Sequence, residues 1–102
     1  MSLVDPSNRH FPEAFLTPRE RAKATHELAS YGEAALPLLR AILDGSAINE
    51  NGVPYRRLGM PIDCALVTIR MLDKTAFSLQ DLVQVEFKAG HPYAQDALTA
   101  LS

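Results

Sequence analysis

Cys64 and the histidines His10, His26 and His91 are the residues of this chain best equipped for nucleophilic or metal chemistry. His26-Glu27 begins as a helical zinc-protease motif does, but that motif needs a second histidine four residues on, where Ser30 stands. His26 therefore reads as a surface or partly packed histidine. Cys64 follows Pro61 closely enough to sit in a first helical turn, where a thiol pKa can fall. Its next neighbours are Ala65, Leu66 and Val67, with no adjacent histidine to act as base. A buried small apolar role fits better. His10 and His91 have no partners at ligand spacing. Asp63, Asp73 and Asp81 read as helix-terminus residues rather than an acid–base pair. There is no glycine-rich phosphate loop and no Gly-x-Ser-x-Gly. The pattern predicts neither catalytic residues nor a metal nor a cofactor.

Two basic clusters are the alternative source of chemistry. Arg19, Arg21 and Lys23 interleave with Glu20, and Arg56-Arg57 follow Tyr55. Arg and Tyr are frequent binding hot spots, so Tyr55, Arg56 and Arg57 read as a contact surface on a loop. Contact with DNA or RNA would require both clusters to converge on one face.

The elements that must position these residues are helical. Pro18 after Thr17, with Glu20 three residues past Thr17, forms a capping-box pattern opening a first helix. Ala22, Thr25, Leu28 and Ala29 form its narrow stripe of mostly small residues, and Gly32 supplies a left-handed stop. A second helix over 33–44 carries Ala35, Leu38, Leu39, Ile42 and Leu43 on one face. Pro37 delays the regular helix to about Leu36, leaving 33–35 as a bent lead-in. Asp44-Gly45 closes it. Residues 45–59 then form the longest loop, with Asn51-Gly52 at the tip of a small hairpin between Ile48 and Tyr55. A third helix spans 61–73 with Ala65, Leu66, Ile69 and Leu72 inward.

In the fourth segment, 79–89, the positions Leu79, Leu82, Val83, Glu86 and Phe87 match a helix, whereas Val83, Val85 and Phe87 alternate as in a strand. Ser78 and Asp81 as caps and Gly90 as stop favour helix. A fifth helix runs from Pro92 to the end through Ala94, Ala97, Leu98 and Leu101. Residues 1–16 read as an irregular arm pinned by Phe11 and Phe15. Met1-Ser2-Leu3 read as a cloning remnant without structural weight.

The chain has 102 residues, 47% hydrophobic and 22% charged, which suits one domain with a modest core. A net charge of -2 is too balanced for a nucleic-acid footprint, so nucleic acid is the lesser reading of partner. One cysteine excludes an internal disulfide and suggests a reducing, cytoplasmic setting. Neither a secretory signal nor an apolar run of membrane-spanning length is visible.

RAKATHELASYGEAALPLLRAIL, with its alanine-rich helix, Leu then Gly at the turn, and proline before paired leucines, resembles a HEAT-repeat unit of the short bacterial form. QDALTAL over 95–101 is similar to the first half of another unit. The middle pair departs from the pattern: it lacks a turn glycine after Leu72. The resemblance implies a curved α-helical scaffold that binds proteins or, in some branches, DNA, and it carries over no catalytic residue. Its second helices usually line the concave side.

The reading is therefore an all-α chain of about five helices in antiparallel pairs, with an arm over 1–16 and one domain over 17–102. It is expected to be a non-catalytic protein-binding or scaffold module, regulatory or immunity-type. Its contact residues would be Arg40, Tyr55, Arg56, Arg57, Gln80, Gln84 and Lys88. The alternative is nucleic-acid binding through the basic clusters at 19–23 and 56–57; an enzyme using Cys64 or His26 is the third class. An apolar edge of Ala97, Leu98 and Leu101 would need the arm or a second copy to cover it, and the second option makes a homodimer.

Overall fold

The computed structural model describes residues 2–102. Among them the chain is all-α: six α-helices joined by 3-10 segments, and no strand. Five helices correspond to the five expected segments. They are α2 (Arg21–Ser30), α3 (Leu36–Asp44), α4 (Met60–Leu72), α5 (Gln80–Lys88) and α6 (Ala94–Leu101). The sixth, α1 (His10–Leu16), lies in the stretch expected to be irregular. Pro12 falls in its first turn, where a missing N–H costs nothing. The Asn8 side chain accepts the His10 amide at 2.9 Å in a local turn just ahead of the helix, whose N-cap position is Arg9. Phe11 and Phe15, one turn apart, are fully buried. Of the three residues read as a remnant, Met1 lies outside the described residues. Ser2 accepts the Asp5 amide in a turn at 3.1 Å.

Several boundaries follow local chemistry closely. Gly32 takes φ 61° after α2, and Gly32–Ala35 form the bent 3-10 lead-in that Pro37 imposes on α3. Ala35, Leu38, Leu39, Ile42 and Leu43 are all buried. Asn51-Gly52 tips a small hairpin, with Ile48 bridging Pro54 and the Asn49 amide donating to the Val53 carbonyl at 2.9 Å. Segment 79–89 is helical: Leu79, Val83 and Glu86 are buried, while Val85 and Phe87 face out.

Two expected caps are not made. Thr17 ends α1 instead of opening α2; its hydroxyl donates back to the Glu13 carbonyl, and α2 starts four residues later without a side-chain cap. A tight turn intervenes, in which the Thr17 carbonyl accepts the Glu20 and Arg21 amides. The helix is thereby rotated, so Ala24 rather than Ala22 joins Thr25 and Leu28 in the core. Neither Ser78 nor Asp81 caps α5; a 3-10 segment, Asp73–Leu79, leads into it.

The hub is α4. Eight of its residues are buried, and α1, α2, α3 and α6 all pack against it. The main neighbours of α2 are α4 and α1, not α3, so the tight α2–α3 pairing implied by the repeat resemblance is not the dominant packing. The α6 edge expected to need an outside cover is covered within the chain. Ala97 and Leu101 are buried, and Leu98 half-buried, where α6 meets α4, α5 and the Asp73–Leu79 segment. Neither the N-terminal segment nor a second copy is needed to bury them.

Candidate functional site

The loop residues expected to make contacts are occupied within the fold. Tyr55 is buried, and its hydroxyl donates to Glu13 Oε2 at 2.6 Å. Burial, reinforced by the hydrogen bond and charge of Glu13, pushes its phenol well above the usual range. Arg56 donates to the Leu43 carbonyl at the end of α3, and its Nη2 lies 2.9 Å from Oε1 of the buried Glu86. Arg9 Nε donates to the Ile48 carbonyl at 3.1 Å. Residues 45–59 are thus tied to α1, α3, α5 and the N-terminal segment. Tyr55 and Arg56 are not the exposed loop tip that their types suggested; that tip is Asn51-Gly52.

The remaining candidates are scattered. Arg57 is exposed. Arg40 is exposed, with Nη2 donating to the Ser78 carbonyl at 2.8 Å, just ahead of α5. Gln84 and Lys88 are exposed on α5, with Gln80 half-buried one turn earlier. These α5 positions form a polar stripe.

The first basic cluster divides. Arg19 and Lys23 line a cleft between α1 and α2 together with Glu20 and Glu27, and Lys23 lies 3.8 Å from Glu27. Arg21 turns to the other side of α2. With Arg56 neutralised by Glu86, the five cations proposed for nucleic acid do not form a single unpaired group.

A different place collects chemistry. Between α2 and α4 lies an apolar groove of about 240 Å³. Helix α2 contributes Arg21, Ala22, Thr25 and His26; helix α4 contributes Met60, Asp63, Cys64 and Val67; Tyr93 stands at one end. Positions 60, 63, 64 and 67 share one helical face by their spacing. Thr25 is buried on the α2 wall of the groove. The Thr25 hydroxyl is spent on the Ala22 carbonyl at 2.7 Å. His26 Nδ1 lies 2.9 Å from the same oxygen and donates to it.

Cys64 forms part of this lining yet is 4% exposed. Burial pushes its thiol up to about 11, with the Arg21 charge opposing the shift and the Asp63 charge adding to it. It is protonated at neutral pH and a poor nucleophile. Asp63 Oδ1 lies 3.2 Å from His91 Nδ1, both atoms being shielded from solvent and lacking a well-aligned hydrogen bond. The His91 amide donates to the Glu86 carbonyl at 3.0 Å, anchoring the turn that carries Tyr93.

Sequence spacing did not reveal this groove. Its residues come from two helices and a turn, and Asp63 and His91 stand far apart in the chain. Apolar residues on the outward flank of each helix were the one available signal, and these look like core residues until the packing is known. No group of three or more His, Cys, Asp or Glu side chains among the described residues is placed to hold a metal ion. No helix among them is long and apolar enough to cross a membrane.

Comparison with known proteins adds no relative: no family model matches the chain, and neither a curated protein nor a solved structure matches it.

Proposed function

We propose that this chain is a non-catalytic protein-binding module whose docking site is the groove between α2 and α4. The observation that carries this reading is the groove itself: an apolar depression with a charged rim, on helices held by the central core. An apolar cavity of ~150 Å³ accommodates benzene, whereas ligand pockets typically run to ~300–1,000 Å³. At about 240 Å³ the groove suits one large apolar side chain of a partner better than an organic cofactor. Such anchors in pockets dominate protein–protein affinity.

This groove lies apart from the loop that sequence types suggested, where Tyr55 and Arg56 already hydrogen-bond within the fold. Val67→Arg tests the reading. Val67 is half-buried on the groove wall, so the charge blocks the groove while circular dichroism checks the fold. A partner captured by the native chain and lost with a folded Val67→Arg variant supports the proposal. Undiminished capture by that variant removes it.

A further inference from the structure

We propose that the segment seated in this groove presents a leucine- or methionine-sized side chain flanked by a carboxylate, and that Arg21 receives the carboxylate. The inference rests on the groove being the docking site.

Arg21 Nε donates to the Phe15 carbonyl at 3.1 Å, which holds the guanidinium at the rim. No carboxylate among the described residues lies within ion-pair distance of it. A planar guanidinium anchored through Nε keeps its terminal N–H donors for an incoming carboxylate, a match that lysine cannot reproduce. Asp63 shares the groove but makes no ion pair with Arg21; its Oδ1 lies 3.2 Å from His91 Nδ1. Glu20 and Glu27, with Arg19 and Lys23, face the cleft on the α1 side of α2. The rim therefore combines one anchored cation, outside ion-pair distance of any carboxylate among the described residues, with an apolar floor, and such a floor strengthens charge-assisted hydrogen bonds by excluding water. A partner of opposite charge and one apolar anchor complements both features. A neutral anchor would use only the floor, and a basic one would meet Arg21 with repulsion.

The test uses the full chain labelled with ¹⁵N and three helical peptides of about 16 residues at low ionic strength. The first carries a central Leu flanked by Glu, the second the same Leu flanked by Lys, and the third Ala flanked by Glu. The first peptide is expected to shift the amides of Ala22, Cys64 and Val67 and to bind about fivefold tighter than either other peptide, a ratio typical of an exposed charge pair or one shallow anchor. Arg21→Gln should bring the two Leu peptides to equal affinity, and Arg21→Glu should reverse their order. Equal binding of both Leu peptides, unaffected by Arg21→Gln, leaves the groove as a docking site and overturns the carboxylate assignment. If neither Leu peptide shifts groove resonances at millimolar concentration, the docking reading and this inference both fall. Decanoate shifting those resonances where no peptide does would identify a free amphiphile and overturn the proposal.

Discussion

Arg56 and Glu86 meet with Nη2 and Oε1 2.9 Å apart, joining the long loop to the buried face of α5. The carboxylate side chain is 2% exposed and the guanidinium side chain 36%. Glu86 occupies a position that the helical pattern assigns to the core, and the fold satisfies it by turning Arg56 inward. The same guanidinium closes off the Leu43 carbonyl at the end of α3. One loop residue thus connects two helices.

Removing one partner of this pair should be costly. Arg56→Met leaves Glu86 buried and unpaired, and a loss of about 2–4 kcal/mol is expected, tempered by the partial exposure of the arginine. The double variant Arg56→Met with Glu86→Leu should recover most of that loss. Urea denaturation of the two single variants and the double variant measures the coupling. Additive losses would show that the residues act independently.

Alkaline pH should weaken the fold through Tyr55 and Cys64. Both hold their protons more tightly folded than unfolded, since burial raises both groups. Their contribution is fully present below the unfolded values, roughly 9 for cysteine and 10 for tyrosine, and is lost as pH rises. For Cys64 the window runs from its ordinary value of 9.0 to about 11. Melting temperature should fall from about pH 9 upward, and less steeply in Tyr55→Phe with Cys64→Ala. That double variant starts lower, having lost the Glu13 hydrogen bond and some packing. Equal slopes in the two proteins would count against the assignment.

Thiol reactivity reports the same burial from another side. At pH 8 a disulfide reagent should label Cys64 slowly in the native protein and quickly in denaturing urea. Groove occupancy should slow native labelling further, because Cys64 lies in the groove lining. Fast native labelling at neutral pH would contradict the protonated, buried state.

The helix starts can be tested by truncation to alanine. Asn8→Ala removes the acceptor for the His10 amide and should cost about 1 kcal/mol, the net worth of one hydrogen bond. Thr17→Ala should cost only a few tenths, since the Thr17 side chain caps no helix N-terminus and its backbone ends α1 whatever the side chain. A larger loss at Thr17 than at Asn8 would restore the capping box that the sequence suggested.

Asp73 holds φ 57° and ψ -139° at the end of α4, a conformation that glycine adopts freely and aspartate does not. Asp73→Gly should therefore be neutral or stabilising by up to about 1 kcal/mol, with relieved strain offsetting the greater freedom of the unfolded chain. Asp73→Ala keeps the strain and should not gain. Thermal melts of both variants decide it.

The sequence by itself determined the parts of this protein governed by interactions within about one helical turn. Pro37 fixes the 3-10 lead-in to α3, Gly32 and Gly45 end α2 and α3 in the left-handed region, and Asn51-Gly52 sets the hairpin tip. The apolar spacing of α3 and α4 selects their buried faces. Where two local readings competed, packing decided. Thr17 had a capping-box partner in Glu20, yet α1 claimed it as a terminus because Phe11 and Phe15 gain more by entering the core. The α6 edge looked unpartnered only because its cover, α4 and α5, lies elsewhere in the chain. The arrangement around α4, the inward turn of Tyr55 and Arg56, and the meeting of Asp63 with His91 depend on residues brought together from separate elements. No periodicity encodes which way a loop arginine turns or which flank of a helix stays uncovered. Those outcomes follow from how whole apolar faces are buried at once, and they moved the candidate site from the loop to the α2–α4 groove.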